Sequence, residues 1–61
     1  MIKLAKIGKY DIYSLSMQEC KEQEEKYPCF VAGFDDKHTG QFVEEFFAHD
    51  LNMVKTWCKK H

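Results

Sequence analysis

The chain has 61 residues and carries nine lysines, no arginine and ten acidic residues, for a net charge of −1. This balance excludes a strongly basic nucleic-acid-binding protein and a strongly acidic nucleic-acid mimic, and the absence of arginine weighs against sequence-specific DNA recognition. We expect one small domain over residues 1–61, near the lower limit for independent folding, where the usual supports are disulfides, a metal or a partner chain.

The cysteines bear on where the protein resides. Cys20, Cys29 and Cys58 are odd in number and widely spaced, which favours free thiols over disulfides. The first seven residues are too short and too charged for the apolar region of a signal peptide. No apolar run approaches the length of a membrane span. These features predict a cytoplasmic protein with reduced cysteines and no membrane association.

The first predicted element is a β-hairpin formed by residues 2–7 and 10–15. Gly8 suits the first position of a two-residue type II′ turn, and this register places Lys6 opposite Asp11. The lysine spacing before Gly8 also fits a short helix that ends there, so this alternative stays open. The β-favouring residues after the turn favour the hairpin.

A first helix is predicted from its start and stop signals. Ser16 and Glu19 form a capping box, in which each side chain accepts a hydrogen bond from the other residue's backbone amide. Pro28 cannot continue a helix and biases the preceding residue toward extended geometry. The helix is therefore predicted to run from Met17 to Lys26.

A second hairpin and a final helix complete the chain. Residues 29–34 and 41–48 have the composition of two strands. The loop between them contains Gly40, which can adopt the positive φ that closes a four-residue turn. Asp50 is a suitable N-cap for a helix from Leu51 to Lys60. The predicted fold is α+β, with a four-stranded antiparallel sheet, two helices on one face and the order ββαββα. The order becomes βαββα if the first segment is not a strand.

Phenylalanines lie on both predicted faces of the second hairpin. When Asp36 is paired with Gln41, one face carries Phe30, Ala32, Phe34, Val43 and Phe47, and the opposite face carries Val31, Phe42 and Phe46. Two short helices can cover only one face, and an uncovered apolar face usually marks an interaction site. We therefore predict that Val31, Phe42 and Phe46 contact a protein partner or a second copy in a homodimer.

No catalytic, metal or cofactor site is predicted. Structural zinc sites use closely spaced Cys or His pairs, which the chain lacks. Cys58 and His61 lie three residues apart on the final helix, but a thiolate nucleophile also needs an oxyanion hole and a substrate cleft. The three glycines are isolated and form no phosphate-binding loop. We expect no enzymatic activity and no cofactor.

The sequence predicts a small non-enzymatic protein-interaction module. Its size fits an inhibitor or adaptor that acts by covering a surface of a larger protein. A lysine-rich, arginine-free composition is frequent in AT-rich genomes, which favours a phage or mobile-element origin. The alternative is a nucleic-acid-binding protein that contacts phosphates through Lys55, Lys59 and Lys60 and stacks exposed aromatics on bases.

Overall fold

The computed structural model describes residues 1–61 as four strands and two helices in the order ββαββα. The elements are β1 (Ile2–Ile7), β2 (Tyr10–Ser14), α1 (Met17–Glu22), β3 (Phe30–Asp35), β4 (Phe42–Ala48) and α2 (Leu51–Lys60). The strands form one antiparallel sheet in the order β1-β2-β3-β4. This confirms the α+β class and the predicted element order, and the first segment is a strand.

The first hairpin has the predicted turn and register. Gly8 has a φ of 61° while Lys9 does not have a positive φ, as a type II′ turn requires. Lys6 pairs with Asp11. The register shifts between Lys3 and Ala5, which leaves the intervening residue unpaired in a β-bulge.

The second hairpin closes as predicted around residues 36–41. The Asp36 amide donates to the carbonyl of Gln41 at 2.8 Å, and Gly40 has a φ of 72°. The Asp36 carboxylate also accepts a hydrogen bond from the His38 amide at 2.9 Å, which stabilises the turn locally.

A second bulge changes which face the end of β4 presents. Gly33 pairs with Glu44, but the preceding residue of β3, Ala32, pairs with Phe46, so Glu45 has no partner. Every β4 residue after the bulge therefore lies on the face opposite to the one that strict alternation gives. The prediction that Phe42 and Phe46 share a face is wrong for this reason.

Helix α2 covers one face of the sheet. Its N-cap is Asp50, whose carboxylate accepts a hydrogen bond from the Asn52 amide at 2.8 Å, as predicted. The core between this helix and the sheet consists of six buried residues: Tyr10, Ile12, Ala32, Ala48, Val54 and Cys58. Phe46 packs against this core together with Trp57 of the helix. We call this side of the sheet the helix-covered face.

Helix α1 is shorter than predicted. The capping box is present, with Ser16 and Glu19 exchanging hydrogen bonds of 2.9 and 3.1 Å. The helix ends at Glu22 because Glu24 adopts a φ of 58°, and the amides of Glu24 and Glu25 turn back to the carbonyls of the last turn. This is a Schellman motif with Glu where Gly is usual, so the predicted end at Lys26 is wrong.

Cys20 and Cys29 form a disulfide between α1 and the start of β3, and only Cys58 is a free thiol. The expectation of three free thiols is therefore wrong, and the free-thiol premise of the predicted cytoplasmic location does not hold. The two cysteines are nine positions apart, so the sequence does not indicate that they meet. The fold brings both into one buried cluster with Leu15 and Val31.

The placement of α1 also differs from the prediction. Its buried residue, Cys20, belongs to a cluster whose outer members are Tyr13, Phe42 and Phe47, on the side of the sheet away from α2. The two helices therefore do not share a face. The molecule measures 28 × 27 × 15 Å, and its thinnest dimension accommodates one sheet and one helix layer. Helix α1 thus lies at the end of the sheet near Leu15 and leaves most of this second face uncovered.

Candidate protein-interaction surface

The uncovered side of the sheet carries an aromatic cluster. We call the side of the sheet opposite the helix-covered face the open face. Its aromatic patch consists of Tyr13, Phe42 and Phe47, which surround the buried Val31. Tyr13 and Phe42 meet edge to face with ring centroids 5.2 Å apart. All three rings are partly exposed, whereas the Val31 side chain is only 1% exposed and forms the floor. The patch is therefore a shallow apolar surface with a packed base.

Gly33 fixes the position of Phe42. A Cβ atom at residue 33 would lie 2.7 Å from Cζ of Phe42 and would collide with the carbonyl oxygen of Val43. The ring therefore lies directly on the glycine backbone and occupies the space that a side chain would fill. An aromatic ring held in this way loses little conformational freedom when a partner covers it, which favours binding.

The charges on the open face are separated by sign. Lysines lie on β1, and the unpaired carboxylates of Asp35 and Glu44 lie on β3 and β4. The Lys3 ammonium on β1 is 3.1 Å from the Asp11 carboxylate on β2. This hydrogen bond and the attraction between the two charges raise the pKa of Lys3. The unpaired charges at the two edges of the face are therefore Lys6 on β1 and Glu44 on β4.

The predicted interaction residues are not all brought together. Val31 and Phe42 lie in the patch, but Phe46 stacks on Trp57 on the helix-covered face, with ring centroids 5.0 Å apart and an interplanar angle of 10°. Sequence reasoning missed Tyr13 and Phe47. The adjacent charges Glu44 and Glu45 in the middle of an otherwise apolar strand were the signal that could have indicated the bulge.

Tyr13 was missed because only the β2–β3 pairing, which joins it to Val31, brings it beside the second hairpin. The two strands are separated by α1 and its following loop. No local pattern in the sequence indicates which strand of the first hairpin pairs with β3, so the position of Tyr13 in the patch depends on tertiary structure.

A second surface feature lies along α2. An open groove of about 490 Å³ is lined by Phe46, Asn52, Met53, Thr56, Trp57, Lys60 and His61. The Trp57 ring stacks on His61, with centroids 4.5 Å apart, as well as on Phe46. These rings are therefore engaged with one another. Lys60 lines the groove, while Lys55 and Lys59 do not, so the predicted phosphate-binding lysines do not share one site with the rings.

The remaining reactive side chains form no catalytic constellation. Cys58 is buried, and burial raises the pKa of its thiol, which disfavours the thiolate form. His61 stacks on Trp57. His49 is held by the carbonyl of Pro28 at 3.0 Å and by Glu25 at 3.4 Å. Nowhere do three His, Cys, Asp or Glu side chains gather as metal ligands would.

No protein family, no characterised protein and no solved structure matches this chain. Neither helix has the length and apolar character needed to cross a membrane.

Proposed function

We propose that this protein is a non-enzymatic interaction module that binds a protein surface through the aromatic patch on its open face. The observation that carries the proposal is the aromatic patch itself: three partly exposed rings cluster on the sheet face that α2 does not cover. Aromatic side chains are enriched among the residues that dominate protein–protein binding energies. Clustered apolar exposure of this kind is typical of interaction sites.

The construction of the patch supports binding rather than incidental exposure. The Phe42 ring packs on the backbone of Gly33 and contacts the Tyr13 ring edge to face, so its orientation is fixed before a partner binds. Each ring buries on the order of 150–250 Å² when fully covered. The charged residues around the patch supply a polar rim, which is the usual anatomy of an interface. A chain of this size can act only by covering a surface on its partner.

Site-specific photo-cross-linking tests this proposal. A benzoylphenylalanine placed at Phe42 or Phe47 lies in the patch, and one placed at Met53 lies on the opposite side of the molecule, where the native side chain is 57% exposed. We expect a discrete protein cross-link from positions 42 and 47 and none from position 53. Circular dichroism of each variant verifies folding.

Two results would overturn the proposal. One is the absence of any protein product from both patch positions in folded protein, whether purified or in expressing cells. The other is a product from position 53 alone, which would move the contact surface to the groove along α2.

A further inference from the structure

We propose that the occupant of the aromatic patch is a second copy of this chain, in a two-fold dimer whose sheets pack face to face. This inference depends on the proposed function and adds the identity of the partner. The charge pattern of the open face is complementary to itself in one arrangement of two copies.

The strand pairing sets the charges in a defined row. Lys6 on β1 pairs with Asp11 on β2, which pairs with Gly33 on β3, which pairs with Glu44 on β4. All four therefore lie on one line across the open face, with a lysine at one end and a glutamate at the other. Lys6 and Glu44 are exposed, and neither forms an ion pair within the chain.

Two symmetric arrangements keep the strands of a face-to-face pair of sheets aligned, and the charges distinguish them. A two-fold axis parallel to the strands places β1 of one copy over β4 of the other and keeps each row at its own height. Lys6 of each copy then meets Glu44 of the other, so the contact occurs twice. An axis perpendicular to the strands places β1 over β1 and β4 over β4, which sets like charges together. Like charges across an interface cost several kcal/mol, so the first arrangement is favoured.

The next row fits the same arrangement. Tyr13 on β2 pairs with Val31 on β3, and the parallel axis places each Tyr13 over the Val31 of the other copy. Each partly exposed ring then faces a point of the other sheet where the side chain, Val31, is already buried and does not project, so the two Tyr13 rings do not meet head on. Helix α1 joins the sheet at the end where Leu15 bonds to Cys29, distant from the Lys6–Glu44 row near the hairpin turns. The end of the open face near the hairpin turns is therefore free to pack against a second copy.

Charge reversal tests the arrangement. We expect Lys6→Glu and Glu44→Lys each to weaken dimerisation, with a dissociation constant raised about tenfold or more, because both symmetric contacts become repulsive. An equimolar mixture of the two variants should recover a dimer, since a heterodimer of Lys6→Glu with Glu44→Lys restores opposite charges at both contacts. The control is Lys59→Glu on α2, on the other side of the sheet, which should dimerise like the wild type. Sedimentation equilibrium measures all five samples.

Salt provides a second readout. Raising the ionic strength should reduce the difference in dissociation constant between the wild type and each single variant, because salt screens the contacts between residues 6 and 44 at the rim of the interface. A wild-type protein that remains monomeric at concentrations on the order of 100 µM would overturn the dimer. Failure of the mixed variants to recover dimerisation would overturn the proposed arrangement.

The two proposals fail in distinguishable ways. A cross-linked product from position 42 or 47 with the mass of two chains supports the dimer. A product containing a different protein, with the purified chain monomeric, refutes the dimer and retains the interaction module. Absence of any product refutes both.

Discussion

The disulfide between Cys20 and Cys29 should contribute a large share of this small domain's stability. Cys20 is the only buried residue of α1, and the helix has six residues, too few to be stable alone. The bond fixes this helix to the start of β3. Breaking it should therefore lower the free energy of unfolding mainly by releasing the chain between the two cysteines.

The magnitude follows from the length of that chain segment. The two cysteines are nine positions apart in the sequence. Loop-closure entropy for a segment of this length corresponds to about 2.5 kcal/mol at 25 °C. Because 1 kcal/mol shifts the melting temperature of a domain this small by about 4–8 °C, we expect a decrease on the order of 10–20 °C.

Thermal and urea unfolding with and without a reductant measure this effect directly. The double variant Cys20→Ala/Cys29→Ala should unfold near the midpoint of the reduced wild type and should not respond to reductant. Equal midpoints for the oxidised and reduced wild type would refute the reasoning, as would a double variant as stable as the oxidised protein. Either result would mean that α1 docks through Leu15 and the capping box without the covalent bond.

Three further changes test local features of the fold. Glu24→Gly should raise the free energy of unfolding by up to about 1 kcal/mol, because Glu24 has a positive φ that glycine adopts without strain, and urea unfolding measures it. Gly33→Ala should lower the free energy of unfolding by about 1–3 kcal/mol or more, because the added Cβ collides with the Phe42 ring and with the carbonyl oxygen of Val43. An unchanged urea midpoint would show that the ring does not lie on Gly33. The Ser16 amide holds the pKa of Glu19 below its usual 4.5, so the stability from ionised Glu19 is present above about pH 4.5 and is lost as the pH falls through the lowered pKa. Glu19→Gln should flatten this acid decline in a series of melting temperatures between pH 7 and pH 2.

The features that were predictable from sequence are those whose partners lie close along the chain. The capping box at Ser16, the Asp50 cap and the two hairpin turns each depend on residues within about five positions of one another. Turn and cap geometry is set by local hydrogen bonds and by φ preferences, so these signals survive in the folded protein. They were sufficient to define the α+β class and the strand order within each hairpin.

The features that sequence could not provide depend on distant contacts or on exceptions to local preference. The Schellman motif at Glu24 places a non-glycine residue at a positive φ, which propensity argues against. The disulfide requires knowledge of how α1 returns to the sheet. The patch itself requires both the β2–β3 pairing that supplies Tyr13 and the bulge that moves Phe47 onto the open face.

That bulge determines how β4 divides its aromatics between the two faces. With Glu45 unpaired, Phe46 faces α2 and stacks on Trp57, while Phe47 joins the open face. Without a bulge, the same sequence would place Phe46 on the open face and Phe47 under the helix. The two registers make opposite predictions for a change in the length of the strand.

Deletion of Glu45 distinguishes them. In the bulged strand this residue has no partner, so its removal leaves Glu44 opposite Gly33 and Phe46 opposite Ala32, as in the intact protein. We expect the deletion variant to fold, with a melting temperature within several degrees of wild type and the near-ultraviolet circular dichroism of the stacked Trp57 retained. Removing Glu44 as well as Glu45 is the matched control, since it moves Phe46 opposite Gly33 and turns every later residue to the wrong face, which should abolish cooperative unfolding. If the single deletion abolishes cooperative unfolding while the double deletion retains it, β4 has no bulge, and Phe46 rather than Phe47 belongs to the interaction surface.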